Sequence, residues 1–277
     1  MKSHDAPAKT LGPQAARVVV ELNEARRNVF SVEDVSAVTG LSEKSARNLA
    51  GKLVAKGIAT RLKPGLFILV PFELGRERNY TGNPYILARE MLRGRDYYMS
   101  HASAMDLHRM VTQPQLVVYA TSTHPLRSRT IQGTEFRFVR CKPEHLFGVM
   151  DHWLDKTTTV KVSDLERTII DGLKQPEYSG GFSEVAKGYW MRRNDIDAKR
   201  LVDYAMRLDV GAVTRRLGFL LETCKVDAPS EMERLCDSLS ATYQLLDPTL
   251  PAEGHFLARW RLRINVNEDE IAAARGS

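Results

Sequence analysis

Between residues 31 and 70, helix caps and turn residues cut the chain into four short elements, and this punctuation leaves few folds open. Upstream, over 14–27, Ala15, Val18, Val19, Leu22 and Ala25 recur at helical spacing. Ser31, followed by Glu33 and Asp34, reads as an N-cap with acids in the first helical turn. Gly40 suits the left-handed position that ends a helix. Ser42 caps the next helix, which is predicted to run to Lys56 and stop at Gly57. Two strands are then expected, over 58–62 and 66–70, joined by Lys63-Pro64-Gly65, where Pro presets φ and Gly tolerates φ > 0. Helix, helix, turn, helix and hairpin, in that order, predict a winged helix-turn-helix. Ala46, Leu49, Ala50 and Leu53 form the inward stripe of its third helix.

The full chain has 277 residues, enough for two or three domains. Its net charge is +6, and the surplus is uneven. Residues 1–75 carry eleven basic and seven acidic side chains, so an acidic partner is expected for this end, and nucleic acid is the commonest one. The three cysteines, Cys141, Cys224 and Cys236, are odd in number and far apart, which excludes a disulfide framework and a Cys-x-x-Cys zinc site. With no apolar signal core in the first dozen residues and no run of 18 apolar residues, the expected setting is the cytoplasm, with no membrane span.

The expected fold class is α+β: the winged helix-turn-helix, then a mixed α/β domain with a helical C-terminal part. Residues 1–12 read as a disordered tail, 13–72 as the first domain and 73–84 as a linker rich in Gly, Pro and charge. The second domain, 85–277, is read as α/β to about 190 and mainly helical after that. Helices are expected over 85–93, 100–110 and 163–173, and strands over 115–121, 135–141 and 158–162. About four helical segments should fill 182–239. Phe256, Ala258, Trp260, Leu262, Ile264 and Val266 alternate and predict one late strand.

The third helix carries the chemistry. Lys44, Asn48 and Gly51 lie opposite its apolar stripe, with Ser45, Arg47 and Lys52 on the flanks. Arg can hold guanine O6 and N7 together, and Asn can pair with adenine N6 and N7. Ser42 and Ser45, at the helix N-terminus, suit phosphate. Arg61 and Lys63 lie in the wing, where phosphate or minor-groove contact is usual. A second anionic contact is expected at Arg127, Arg129, Arg137 and Arg140, a group with only Glu135 as counterweight. The pairs Arg192/Arg193, Lys199/Arg200 and Arg215/Arg216 interleave with acids and read as solvated helical faces.

Enzyme signatures are weak. His101 and His108, and likewise His145 and His152, are seven apart and so fall roughly on one helical face, but neither pair has metal-ligand spacing. The nuclease-like Asp197-Ala198-Lys199 lies in a helical stretch, and no phosphate-binding loop or nucleophile elbow is found. Cys141 reads as a buried thiol. No catalytic residue, metal or cofactor is expected. A degenerate nuclease-like enzyme and a winged-helix protein-docking module stand as alternatives.

The turn Gly40-Leu41-Ser42 and the hairpin Lys63-Pro64-Gly65-Leu66-Phe67 resemble the start of AbiEi-type antitoxins. The stretch from Tyr98 to His108, with Ser100, Ser103 and Ala104 inside it, resembles that family's Y-x-S-x-x-S-A-x-x-x-H signature. Segments 118–121, 137–139 and 162–171 follow in the family's order, and the resemblance covers about residues 14–190. It implies an antitoxin of a type IV toxin–antitoxin (abortive infection) system. Such a protein represses its operon at inverted repeats in double-stranded DNA, with paired copies on the DNA. It also counteracts a nucleotidyltransferase-like toxin without requiring a stable complex. DNA contact carries over to Lys44, Ser45, Arg47, Asn48 and the wing. The motif residues of the second domain look structural, His101 by tying Ser100 and Ser103 together.

Overall fold

A computed structural model describes residues 10–75, 80, 82–111, 116–131, 133–156 and 158–267. The predicted tail up to residue 9, linker positions 76–79 and 81, and the strand start at 115 lie outside them. The fold is mixed α+β and divides into two compact units, 1–93 with 130–134, and 94–129 with 135–277. The first unit therefore extends past the linker read at 73–84. Among the described residues no helix is long and apolar enough to cross a membrane.

The first unit begins with α1 (Pro13–Glu24), β1 (Val29–Ser31), α2 (Val32–Thr39) and α3 (Glu43–Ala55). It continues through β2 (Ala59–Lys63), β3 (Leu66–Leu69) and α4 (Pro84–Met91). The caps act as their chemistry dictates. Ser31 Oγ accepts the Asp34 N–H while the Asp34 carboxylate accepts the Ser31 N–H. Gly40 closes α2 at φ 72°, and Gly65 turns the β2–β3 hairpin at φ 79°. Arg27 clamps the Asp34 carboxylate with two hydrogen bonds of 3.0 Å, tying the end of α1 to the start of α2. Burial pushes the Asp34 carboxyl up, but Arg27 and the Ser31 N–H outweigh it and hold it below its ordinary value.

Sequence spacing missed β1. Three residues are too few for alternation to register. Val29 pairs with Ile68 and Phe30 with Phe67, giving the antiparallel order β1-β3-β2. The Phe30 and Phe67 rings stack at 5.5 Å. Behind the sheet, Val18, Leu22, Val35, Ala46, Ala50 and Leu53 make one core. Leu49, read as inward, is only half-buried at its edge.

The second unit opens with β4 (Tyr97–Met99), α5 (His101–Leu107) and β5 (Val117–Ser122) and, after the short β6 (Arg129–Ile131), which falls mostly in the first unit, continues with β7 (Thr134–Arg140). Next come β8 (Val149–Trp153), β9 (Thr159–Ser163) and α6 (Leu165–Lys174). Strands run in the order β7-β5-β4-β9-β8. β5 is parallel to β7 and antiparallel to β4, and β4 is parallel to β9. Four helices follow, as expected: α7 (Phe182–Arg192), α8 (Ala198–Leu208), α9 (Gly211–Thr223) and α10 (Pro229–Asp237). The chain closes with β10 (Gln244–Leu245), β11 (His255–Leu257) and β12 (Leu262–Ile264).

Three expectations need correction. The late strand is a hairpin. The chain turns at residues 258–261, β11 returns antiparallel along β12, and Phe256 and Ala258 lie outside while Trp260, Leu262, Ile264 and Val266 are buried. Gly254 permits the close pairing, because a Cβ there would collide with the Ile264 carbonyl. Arg215 and Arg216 are not solvated. Both are buried, and their guanidinium groups donate to carbonyls of Gly211, Ser240 and Thr242, and of Leu173 and Leu245. Finally, His145 ends a 3-10 turn and His152 lies in β8, so these two share no helical face.

Candidate functional site

Helix α3 presents a polar, exposed face. Ala46, Ala50 and Leu53 are fully buried, which turns Ser42, Lys44, Ser45, Arg47, Asn48 and Lys52 to solvent. Ser42 Oγ accepts the Ser45 N–H at 3.5 Å, and the two hydroxyls lie 3.2 Å apart. Arg47 pairs with Glu43 one turn back, and both side chains are about two-thirds exposed. Such a pair is worth only about 0.3–0.5 kcal/mol, so the guanidinium exchanges partners readily.

Gly51 sits on the same face. A Cβ there would meet nothing within 4 Å. A glycine inside a helix costs about 1 kcal/mol relative to alanine, and no packing demand of the fold explains it. Beside it, Glu33 of α2, Arg47, Gly51 and Val54 of α3 and Arg61, Pro64, Gly65 and Phe67 of the β2–β3 hairpin line one groove of about 750 Å³. Arg61 is exposed and Lys63 half-buried. The structure thus brings Arg47 and Arg61, far apart in sequence, onto one groove. The hairpin bulges between Arg61 and Lys63.

The second cluster, Arg127, Arg129, Arg137 and Arg140, is less uniform. Arg127 and Arg140 are exposed and Arg129 is half-buried. Arg137 pairs with Glu135 at 2.6 Å and lies over the Tyr119 ring.

The family-like motif residues converge on a buried polar network in the second unit. Arg167 Nη2 donates to the Tyr98 hydroxyl and Arg167 Nε to Asp171 Oδ1, both at 3.0 Å. Thr121 Oγ1 donates to Ser100 Oγ at 2.8 Å, which leaves the Ser100 proton for His101 Nδ1 at 2.9 Å. His101 does not reach Ser103 in this arrangement; the Ser103 hydroxyl accepts the Tyr119 N–H instead. His108 Nε2 donates to the Ser163 carbonyl at 2.6 Å. Cys141 is buried, and burial pushes its thiol up, away from a reactive thiolate. Sequence reading missed the burial of Arg167 and Asp171, because an i, i+4 pair of opposite charge looks the same on an exposed face.

His101 is fully buried against the Tyr119 and Tyr178 rings at a left-handed φ of 51°. Burial lowers its pKa to about 4, with Lys174 and Arg167 adding to that and Asp171 opposing it. The unfolded chain therefore binds the proton first as pH falls. Stability from the neutral ring is present above about pH 6.5 and is lost as pH drops toward 4, by on the order of 3 kcal/mol. His101→Asn tolerates the left-handed backbone and does not titrate. Its unfolding free energy, read by urea denaturation, should fall less between pH 7 and 4 than the wild type's.

No protein-family model and no curated protein matches the chain. Among solved structures, the chain is similar to the RV2827C protein from Mycobacterium tuberculosis. The two share 16% sequence identity with a TM-score of 0.69, over 98% of this chain and 97% of that one. At this identity the likeness establishes the α+β fold over almost the whole chain, and the site rests on its own geometry.

Proposed function

We propose that the chain is a winged helix-turn-helix repressor that reads double-stranded DNA with α3 and acts as an AbiEi-type antitoxin in the cytoplasm. The observation that carries the DNA reading is the shared groove, where the polar face of α3 and the Arg61 side of the β2–β3 hairpin open together. A helix fits the major groove, and its exposed side chains then meet base edges. Asn48 pairs with adenine, and Arg47 leaves Glu43 for guanine. Gly51 lets the helix backbone approach closely. Ser42 and Ser45 at the helix N-terminus, with Lys44 and Lys52, hold phosphates, and Arg61 and Lys63 hold the wing against the backbone or minor groove. Arg127, Arg129, Arg137 and Arg140 supply a second anionic contact, for which Arg137 exchanges Glu135 for phosphate as Arg47 exchanges Glu43 for guanine.

Paired copies on an inverted repeat would give the operator its symmetry. The antitoxin role, directed against a nucleotidyltransferase-like toxin, rests on the order of the motifs from Tyr98 to Asp171. No catalytic step is assigned to the chain.

Fluorescence anisotropy against the duplex just upstream of the chain's own gene, beside a scrambled duplex and across a salt series, tests the reading. Specific binding should survive physiological salt and fall linearly in log affinity as log salt rises. Gly51→Ala should raise helix stability by up to about 1 kcal/mol and still weaken specific binding. Equal, salt-labile binding to both duplexes would defeat the proposal.

A further inference from the structure

The small C-terminal sheet has two unlike faces. Trp260, Leu262 and Ile264 point into the core of the second unit, together with Leu246. The other side carries a continuous run of four side chains. Arg261 lies over the Tyr243 ring, Tyr243 meets Phe256 edge-on at 5.1 Å, and Arg263 lies over Phe256. Register explains the last contact, because Phe256 of β11 is directly opposite Arg263 of β12. Phe256 is 61% exposed and Tyr243 38% exposed, which is unusual for aromatic rings with no covering segment among the described residues.

The charge is unpaired. Among the described residues neither Arg261 nor Arg263 has a carboxylate partner, and Arg263 Nε is buried without a hydrogen-bond acceptor. Arg259, by contrast, is paired with Glu222. The nearby Asp247 is buried and accepts the Phe182 and Thr249 N–H groups, so it does not offset the arginines.

Flat rings alternating with guanidinium groups match one class of ligand. Every base has a π-face that stacks on an aromatic ring whatever its identity, and the adjoining phosphate takes the guanidinium. Duplex DNA hides its base faces in the stack, so the rings are useful only to an unpaired strand. We propose that this outer face binds single-stranded nucleic acid, with bases stacked on Phe256 and Tyr243 and phosphates held by Arg261 and Arg263. The site is separate from α3 and does not depend on the duplex-reading proposal.

The test uses the full chain and labelled oligo(U) and oligo(dT) strands of about a dozen nucleotides, within the usual site size for such platforms. Phe256→Leu keeps apolar bulk but removes the flat ring. Arg263→Gln keeps length and hydrogen bonding but removes the charge. Each should weaken single-strand binding about tenfold, the scale of one lost stacked base, while the thermal melt stays at the wild-type value. Lys199→Ala, which removes an exposed positive charge on α8, should leave single-strand affinity unchanged. The proposal is overturned if the wild type binds neither strand or if both variants bind like wild type. It is also overturned if a polyglutamate peptide of equal charge binds as tightly, since the face would then be a dock for acidic protein.

Discussion

Replacing Arg167 by alanine is expected to destabilise the second unit by about 3–5 kcal/mol, the scale of an uncompensated buried charge. The guanidinium is 1% exposed and bridges β4 to α6 through Tyr98 and Asp171. It also lies 4.2 Å from the centre of the Phe147 ring. Truncation strands the Asp171 carboxylate in the core and leaves the Tyr98 hydroxyl without its donor. The pair differs from an exposed i, i+4 bridge such as Lys199–Asp203, whose loss should leave stability almost unchanged. Urea denaturation of the two alanine variants, Arg167→Ala and Lys199→Ala, measures the contrast. A change below 1 kcal/mol for Arg167→Ala would mean that the network is solvated. The double replacement Arg167→Met with Asp171→Leu removes both charges together and should recover most of the loss.

Trp260→Ala is expected to cost about 3–5 kcal/mol as well, by leaving a void where a large ring was. The indole is fully buried, and its N–H donates to Glu222. Its ring lies on Gly218 of α9, where any Cβ would collide with it. Gly218→Ala should therefore destabilise by about 1–3 kcal/mol through overpacking, even though alanine is the better helix former. The two positions share one space, so their effects should not add. Gly218→Ala placed in the Trp260→Ala background should be neutral or stabilising, because the methyl then enters the void. Thermal denaturation of the four-member cycle gives the coupling directly, and strict additivity would refute the packing account.

How much of this was legible in the sequence depends on where the information was local. The first unit is defined by caps and turns, and each cap is a few residues acting on its own backbone. Ser31 with Asp34, Gly40, Ser42 and Pro64-Gly65 therefore appear in the structure where the sequence puts them. The exposed face of α3 follows from a 3.6-residue period, which is also local. What escaped the sequence is made by distant pairing. β1 and β4 are three residues each, too short to show alternation, and they exist because β3, β5 and β9 supply partners. Arg215 and Arg216 look like a solvated pair until the carbonyls of 240–245 fold over them. The alternation over 255–266 is real, but Gly254 and the turn at 258–261 convert one expected strand into two and move Phe256 outside. The groove shared by Arg47 and Arg61 likewise needs the hairpin to return beside α3, which no single segment encodes.

The central claim is that α3 reads base edges, and one comparison addresses it most directly. Affinity for the upstream duplex and for a scrambled duplex is measured for wild type, Asn48→Ala and Lys52→Ala across one shared salt series. Asn48→Ala should lose about 1–3 kcal/mol on the specific duplex and almost nothing on the scrambled one. Lys52→Ala should weaken both duplexes alike and reduce the salt slope by about one. If Asn48→Ala lowers both affinities equally, or neither, α3 does not read sequence and the proposed function is wrong.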